Sequence, residues 1–368
     1  MTRVMQVLYS GLGGHGSVAF SLLDAGESEN VWAGQLIFFG IEPIVGEYER
    51  ACIARSIEPT YVPTVAGQAW RAWPLLYRAL AMARPDAIIL HSVKTILPCA
   101  LYAARHGIPL VAVEHQPNAL KHRGEWWASR LLMRLADAVV VLTGDYSQQL
   151  RARLGRAWNG AKVHLIPNGI DTGKFAPSGA IRVSQRRVVG MAGRLSRTKC
   201  QHVLIESIAL LVARDGPERW RLSLAGDGET LPVLRELVRS LGLEDVVAFT
   251  GYLDAACLRD WFKSIDFYAH ASAGETLSTS ILQAMAMGLP VVGSDVQGIS
   301  NLLSSGGGVG LLSAQTPESM AMSLRRLANE PELADGLRRR ARDLAVSEFS
   351  QTKMFDRYRS LLDQLCTE

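Results

Sequence analysis

The segment Ala273–Asp295 constrains the fold of this chain more than any other part of the sequence. It reads AGETLSTSILQAMAMGLPVVGSD and predicts a loop with Glu275, a helix that begins near Ser278–Ser280, and a buried strand at Val291–Val292. Gly288 ends the helix, and a proline follows two residues later. Because the N–H groups at the start of such a helix favour an anion, the pattern predicts a ligand site at the carboxyl end of a parallel sheet.

The rest of the chain alternates short β-branched runs with amphipathic stretches. In the first half the predicted strands are Val4–Tyr9, Gln35–Phe39, Ala87–Leu90, Leu110–Glu114, Ala138–Leu142 and Val163–Ile166. In the second half they are Val188–Ala192, Arg221–Ala225, Val246–Thr250, Phe267–Ala271 and Pro290–Gly293. Alternating strands and helices need crossover connections, which predicts a parallel sheet covered on both faces in each half. The predicted fold class is α/β, with two doubly wound Rossmann-like domains.

The break between the halves lies at Asp171–Arg187, where glycine, proline and polar residues interrupt the strand–helix alternation. We predict an N-terminal domain over residues 1–172 and a C-terminal domain over residues 173–349. The last helix, at about 350–368, is expected to pack back on the N-terminal domain.

Composition excludes several classes of protein. The net charge of +4 is too small for a protein that binds duplex nucleic acid. The 5 cysteines are scattered and form no CxxC pair, which indicates reduced thiols in a cytoplasmic protein. The first apolar run, Val4–Tyr9, is too short for a signal peptide, and no run has the length of a transmembrane helix. Since no metal-ligand spacing occurs, we expect neither a metal nor another cofactor.

A glycine-rich segment, Ser10–Ser17, follows the first predicted strand, where doubly wound folds bind phosphate groups. Its spacing is not GxGxxG, which disfavours a nicotinamide cofactor. A tight turn that binds no ligand is the alternative.

Five short motifs occur in order along residues 166–292. They are Ile166–Asp171, Gly193–Lys199, Leu224–Gly228, Phe249–Tyr252 and Glu275–Val292. Together they resemble the retaining glycosyltransferases of family four, which use nucleotide-diphosphate sugars. The resemblance implies the GT-B fold, in which the active site lies in the cleft between two Rossmann-like domains. It also implies that the N-terminal domain binds the acceptor and that the C-terminal domain binds the nucleotide sugar.

The resemblance also implies roles for individual residues. The implied catalytic residues are His115, Glu275, Arg194 and Lys199. The implied donor-binding residues are Gly13, Gly14, Asn168, Arg194, Lys199, Asp227, Gly228, Gly251, Tyr252, Glu275, Thr276, Leu277, Ser278 and Gln283. The loops that hold the base suit uracil and guanine equally well.

The chemistry of sugar transfer fits these positions. Negative charge develops on the departing diphosphate, so fixed positive groups must face it. By resemblance Arg194 and Lys199 clamp the diphosphate, and the helix start near Ser278 adds N–H donors without a metal. By resemblance His115 touches the transferred sugar, and the departing phosphate itself takes the acceptor proton. The alternatives are that the two cations are ordinary surface residues and that the histidine is structural.

Gln283 departs from the pattern of the family. Glu275 and Gln283 stand at the two ends of the Glu-x7-Glu element, whose second member holds the ribose hydroxyls. An amide accepts a hydroxyl bond without the strength of a charged acceptor, so we expect weaker or altered nucleotide binding. The departure also allows a non-catalytic relative.

A basic and aromatic segment in the first half is the candidate acceptor or membrane surface. It comprises Lys121, Arg123, Trp126, Trp127 and Arg130. Indoles at the headgroup level and cations on lipid phosphates are typical of peripheral contact with an anionic bilayer. The alternative is that a tryptophan belongs to the core and that the cations form a solvated face.

The predicted function is retaining transfer of a hexose or N-acetylhexosamine from a nucleotide-diphosphate sugar. A UDP-sugar is favoured over GDP-mannose, and the acceptor is a glycan or a polyprenyl-linked lipid of bacterial surface polysaccharide biosynthesis. We expect a cytoplasmic enzyme, peripheral on the inner face of the plasma membrane. The alternatives are a GT-B-fold UDP-sugar 2-epimerase and a non-catalytic partner subunit.

Overall fold

The computed structural model describes residues 1–11, 14–116, 118, 121–177 and 186–367. Two compact units are present. The first unit comprises Met1–Gly169 and Gln351–Glu368, and the second unit comprises Ile170–Ser350.

A parallel sheet forms the centre of the first unit, and its seven strands among the described residues have the order β3-β2-β1-β4-β5-β6-β7. The strands are β1 Thr2–Tyr9, β2 Trp32–Gly40, β3 Thr60–Pro63, β4 Ala87–Leu90, β5 Leu110–Glu114, β6 Ala138–Val141 and β7 Val163–Leu165. The helices are α1 Gly14–Ser28, α2 Gly46–Ile53, α3 Trp73–Ala83, α4 Ile96–His106, α5 Arg123–Leu135 and α6 Gly144–Leu154, together with α14 Gln351–Thr367.

Both faces of this sheet are covered by helices. The buried side chains of α3 to α6 form one core against the sheet, and those of α1 and α2 form another. Helix α14 also belongs to this unit, because Phe355 packs edge-on against Trp32 with ring centroids 4.7 Å apart. The Arg359 guanidinium lies 3.2 Å from the Glu29 carboxylate.

The second unit repeats the architecture with a six-stranded parallel sheet in the described part of the chain, in the order β10-β9-β8-β11-β12-β13. The strands are β8 Arg187–Ala192, β9 Trp220–Ala225, β10 Val247–Gly251, β11 Phe267–His270, β12 Val291–Ser294 and β13 Leu311–Ser313. The helices are α7 Gln201–Asp215, α8 Leu231–Ser240, α9 Ala255–Ser264, α10 Thr279–Ala286, α11 Gln297–Ser304, α12 Pro317–Asn329 and α13 Pro331–Glu348.

These two sheets confirm the predicted fold class of two Rossmann-like domains. Two edge strands, β3 and β13, are absent from the strands predicted from sequence. Both are short, and β3 contains Pro63, which is tolerated only at an edge because it cannot donate to the ladder. Neither run is long enough to stand out from a loop in the sequence.

Candidate functional site

The loops at the carboxyl ends of β8, β9 and β10 are joined by backbone hydrogen bonds. Gly193 N donates to Ala225 O at 2.9 Å, and Gly226 N donates to Gly251 O at 2.8 Å. Gly226 has a φ of 137°, and a Cβ at this position would lie 2.0 Å from Gly193 O. The loops approach this closely because residue 226 has no side chain. The predicted donor-binding residues of these loops therefore share one edge of the sheet.

Lys199 and Glu275 lie at the centre of this edge. Lys199 ends a short turn after β8, Glu275 lies between β11 and α10, and the Lys199 Nζ donates to the Glu275 Oε1. Thr198 ties the two loops together, because its carbonyl oxygen accepts from Ala273 N at 2.7 Å and from Ser272 Oγ at 3.1 Å. Both side chains of the ion pair remain partly accessible. The lysine expected on the diphosphate and the glutamate expected on the sugar thus form one ion pair.

His270 extends this ion pair into the interior. Its Nε2 lies 2.9 Å from Glu275 Oε1, and its Nδ1 lies 3.1 Å from the Tyr268 hydroxyl. Burial lowers the pKa of His270, so the ring is neutral and donates its Nε2 proton to the carboxylate. The residue is absent from the predicted site, although its position at the end of β11, five residues before Glu275, is a usable signal.

The Glu275 carboxylate is held in its charged form. Burial raises its pKa, but the charge of Lys199 and the hydrogen bond from His270 outweigh burial and bring the pKa to about 2. The group is therefore ionised at neutral pH. An ionised carboxylate accepts hydrogen bonds from hydroxyl groups and is a stronger acceptor than a neutral oxygen.

Helix α10 begins beside this carboxylate. Ser278 is the N-cap residue, but its side chain does not cap the helix, and its Oγ lies 3.0 Å from Ser280 Oγ. A Cβ on Gly298 would lie 2.2 Å from the carbonyl oxygen of Glu275, so the start of α11 also fixes this loop. Thr276, Leu277 and Ser278 are buried, and Gln283 lies half-buried in α10.

The other predicted donor-binding residues of this unit lie nearer the surface. Arg194 is exposed, and its Nε lies 3.4 Å from the carboxylate of Glu229, a residue absent from the predicted site. Asp227 is exposed and accepts from the backbone N–H of Gly228 at 2.7 Å. Gly251 has a φ of 71° at the end of β10, where it turns the chain towards the exposed Tyr252.

The first unit holds the remaining predicted residues. His115 directly follows β5, and its Nε2 lies 2.9 Å from Nδ1 of His91, which is absent from the predicted site. Burial and the neighbouring His15 lower the pKa of His115 to about 3. Gly14 is the first residue of α1, Asn168 is buried, and Gly13 lies outside the described residues.

The predicted acceptor or membrane segment needs correction at two positions. The Lys121 side chain is 2% exposed, and its Nζ lies 2.8 Å from Glu114 Oε2, so it cannot reach a lipid phosphate. Trp126 packs partly buried against the core, with the Lys121 Nζ 5.0 Å from its ring centroid. Arg123, Trp127 and Arg130 are exposed on α5, as the prediction requires.

Within the described residues, no group of three or more His, Cys, Asp or Glu side chains is placed to hold a metal ion. Among the helices of the described ranges, none combines the length and apolarity needed to cross a bilayer.

Arg342 of α13 fastens the first residues of the second unit to the end of α10. Its Nη1 donates to the carbonyl oxygens of Phe175 at 2.9 Å and Ala286 at 2.7 Å. We expect Arg342→Ala to lower the free energy of unfolding by about 2–3 kcal/mol, because buried carbonyl groups lose a charged donor. Urea denaturation measures the loss. The control is Arg339→Ala, exposed on the same helix, and equal midpoints for the two variants would contradict this role.

Two protein-family models match successive parts of the chain. Residues 36–174 match the description "Glycosyltransferase Family 4", and residues 186–330 match "Glycosyl transferases group 1". The first match lies in the first unit apart from its last few residues, and the second match lies in the second unit. Both halves of the fold are thus assigned to glycosyltransferases.

Curated relatives carry related names. A D-inositol 3-phosphate glycosyltransferase of Nocardiopsis dassonvillei is 29% identical over 259 residues, which is 62% of this chain and 59% of that protein. An alpha-D-kanosaminyltransferase of Streptomyces kanamyceticus is 28% identical over 66% of this chain and 67% of that protein. The chain therefore spans about three fifths to two thirds of the length of these relatives.

Solved structures match over the whole chain. HepE of Anabaena, crystallised with UDP-glucose, gives a TM-score of 0.82 at 20% identity and covers 99% of this chain and 100% of its own. Sucrose-phosphate synthase of Thermosynechococcus elongatus gives a TM-score of 0.83 at 18% identity, with 100% of both chains covered. These likenesses establish the GT-B fold. The two family matches, which together span residues 36–174 and 186–330, show that the chain belongs to the family 4 glycosyltransferases.

Proposed function

We propose that this protein transfers a hexose or N-acetylhexosamine from a nucleotide-diphosphate sugar to a glycan or lipid-linked acceptor, with retention of configuration and without a metal ion. The observation that carries the proposal is the meeting of Lys199, Glu275 and the start of α10 at one edge of the second sheet. A cation, an ionised carboxylate and a helix N-terminus are the groups that a sugar diphosphate needs.

Lys199 can donate to Glu275 and to the diphosphate at the same time. Its ammonium has three protons, of which Glu275 takes one. The others are available to oxygens of a diphosphate, and the N–H groups at the start of α10 add donors to the same anion. The charge that develops on the leaving diphosphate is thus met by groups already in place, which lowers the barrier without reorganisation.

Glu275 is suited to orient the sugar. An ionised carboxylate close to the diphosphate-binding lysine accepts hydroxyl protons of the transferred sugar and fixes its position. We assign it this role rather than that of a nucleophile, because Lys199 and His270 both occupy its Oε1. In the proposed reaction the acceptor hydroxyl attacks from the same face of the sugar that the diphosphate leaves. The departing phosphate oxygen takes the proton of this hydroxyl.

A UDP-sugar is the proposed donor. HepE, a structural neighbour, was crystallised with UDP-glucose, which supports this choice through the shared fold. GDP-mannose is the second candidate, since a relative in Mycolicibacterium smegmatis is named a GDP-mannose-dependent alpha-mannosyltransferase. The proposed setting is the synthesis of bacterial surface polysaccharide.

Thermal denaturation with UDP, GDP, ADP and dTDP sugars tests the proposal. One nucleotide series should raise Tm by a few degrees without added metal, because a ligand at about 100 times its Kd stabilises the folded state by about 2.7 kcal/mol. Lys199→Met should remove the shift, whereas Lys263→Met, at an exposed ion pair of the same unit, should keep it. No shift with any of the four series would reject the proposal.

Gln283→Glu tests, by the same thermal denaturation, whether residue 283 contacts the ribose. If residue 283 holds the ribose, the carboxylate should bind the nucleoside diphosphate about 3–10-fold more tightly than the amide. The matched ligand is the 2′,3′-dideoxy nucleotide, which offers no ribose hydroxyl and should show no gain. An equal gain for both ligands would place residue 283 away from the ribose.

The acceptor side of the proposal concerns the outer face of the first unit. Arg123, Trp127, Arg130 and Arg134 recur every three or four residues along α5 and are all exposed, so they form one stripe. The Trp127 side chain is 58% exposed, which is unusual for an indole.

Neighbouring helices continue this surface. On α3, Leu75, Arg78 and Met82 are exposed at the same spacing, with Met82 at 85% exposure, and on α4 Leu101 is exposed. Neither helix contains an Asp or Glu. A face with cations and large apolar side chains but no acids in two of its three helices suits an anionic bilayer. We propose that α3, α4 and α5 dock on the inner face of the plasma membrane, next to a polyprenyl-linked acceptor.

Liposome flotation tests the docking. Vesicles with anionic lipid should bind the protein, and Arg123→Glu with Arg130→Glu should lower binding at least about tenfold, because each cation near the surface contributes about 1 kcal/mol. The matched control reverses two exposed arginines of the second unit, Arg239→Glu and Arg339→Glu, and should bind like the wild type. Equal loss in both double variants would indicate non-specific attraction and reject the docking face.

A further inference from the structure

A row of hydrogen bonds connects helix α1 to His115 through two buried side chains. Gln6 lies in β1, and His91 directly follows β4. Gln6 Nε2 donates to the carbonyl oxygen of Ala19 at 3.0 Å, and His91 Nε2 lies 2.9 Å from Gln6 Oε1. His91 Nδ1 then lies 2.9 Å from His115 Nε2. We call Gln6, His91 and His115 the histidine row.

The Ala19 carbonyl fixes the direction of every proton in the row. A carbonyl only accepts, so the Gln6 amide turns its NH2 group to Ala19 and its oxygen to His91. The amide oxygen also only accepts, so His91 must carry its proton on Nε2. A neutral imidazole then has a lone pair on Nδ1, which accepts the Nε2 proton of His115. His115 therefore has its lone pair on Nδ1.

Both imidazoles are neutral, as this assignment requires. Burial lowers the pKa of His91 well below its ordinary value, and burial with the nearby His15 lowers the pKa of His115 to about 3. The ring centroid of His15 lies 6.4 Å from that of His115. A second proton on either member of the row would place a charge in a desolvated site next to another imidazole.

We infer that Gln6 and His91 are positioning residues that hold His115 in its Nε2–H tautomer, so that His115 acts on the transferred sugar as a hydrogen-bond acceptor through Nδ1. Whatever group bonds to Nδ1 must donate the proton, and a sugar hydroxyl can. The contact with the sugar rests on the proposed function, whereas the tautomer rests on the geometry of the row. A neutral acceptor also adds no positive charge near an anomeric carbon where positive charge develops.

NMR of the full-length protein with 15N-labelled histidine tests the inference, because protonated and unprotonated ring nitrogens resonate far apart. The His115 signals are assigned by their loss in His115→Gln. In the wild type we expect a protonated Nε2 and an unprotonated Nδ1 for His115. The opposite assignment in the wild type would overturn the inference.

Variants of the row distinguish positioning from packing. His91→Asn keeps an acceptor oxygen near the place of Nδ1 and should keep the His115 tautomer. His91→Phe keeps the bulk but leaves the His115 Nε2–H facing a ring, which should shift the tautomer ratio by about tenfold or more towards Nδ1–H. The control, His106→Phe, changes an exposed histidine outside the row and should leave the ratio unchanged.

Gln6→Met is the second test if His91→Phe fails to fold. Without the amide oxygen, His91 can turn its proton to Nδ1 and donate to His115, which again favours Nδ1–H on His115. An unchanged ratio in every folded variant would reject the positioning role. The UDP melting shift is measured on the same samples, so that absence of nucleotide binding rejects the proposed function and leaves the tautomer result standing.

Discussion

Glu275→Gln is expected to lower kcat/KM for sugar transfer by about 10²–10³-fold. The substitution keeps the shape of the side chain but removes the negative charge that pairs with Lys199. We propose that this same charge accepts hydrogen bonds from the sugar hydroxyls. Release of nucleoside diphosphate from the donor selected by the melting screen measures the rate. The matched control is Asp260→Asn, which removes one carboxylate charge beside a lysine at an exposed site of the same unit. A wild-type kcat/KM in Glu275→Gln would show that the Glu275 charge does not contribute to sugar transfer.

Glu275→Gln should also change how the free energy of unfolding depends on pH in acid. The Glu275 pKa is about 2 in the folded state and near 4.5 in the unfolded state, so the folded state binds fewer protons between these values. Its contribution is fully present above pH 4.5 and is lost as the pH falls towards 2. The difference corresponds to roughly 3 kcal/mol. We expect the unfolding free energy of Glu275→Gln to fall less steeply over this range than that of the wild type.

Lys121→Met is expected to lower the free energy of unfolding of the first unit by about 3–5 kcal/mol. Its Nζ is enclosed by Glu114 Oε2 at 2.8 Å and Ser129 Oγ at 2.9 Å, and the Tyr146 hydroxyl also donates to Glu114 at 3.1 Å. Removal of the cation leaves a buried carboxylate without its counter-charge, which is more costly than the loss of one hydrogen bond. Urea denaturation measures the change.

The double variant separates this effect from general disruption. Lys121→Met with Glu114→Gln removes both charges of this buried pair, so it should recover at least about half of the loss of the single variant. The control is Arg3→Met, which breaks the half-exposed pair with Asp86 in the same unit and should cost at most about 1 kcal/mol. Equal losses in Lys121→Met and Arg3→Met would show that burial does not strengthen the Lys121 pair.

Much of the second unit is predictable from sequence because its site lies in consecutive strand–loop–helix segments. The predicted helix opening at Ser278–Ser280 and the observed start of α10 at Thr279 agree. Local signals suffice there, since an apolar strand, a turn glycine and a helix cap are each read from a few neighbouring residues. The edge strand β13, with three residues, has no such signal.

The prediction that Lys121 lies on the surface is wrong, because its contact with Glu114 joins segments that are not neighbours in the local pattern. A run of cations with two tryptophans is typical of a surface, and only the fold brings Lys121 against Glu114. Glu114 contains the missing signal, because an acid at the end of the otherwise apolar strand Leu110–Glu114 needs a buried counter-charge. The roles of His91 and Gln6 are also not predicted, because they arise from contacts between β1 and the loops after β4 and β5. Such contacts between distant segments leave no pattern in a single sequence.

The return of α14 to the first unit has a consequence for the order in which the protein assembles during translation. The ribosome completes residues 170–350 before it makes the helix that covers Trp32 and Glu29. The second unit can therefore fold while residues 1–169 still lack α14, the helix that completes the first unit. During that interval, the side of α1 that α14 covers in the native protein is accessible to chaperones.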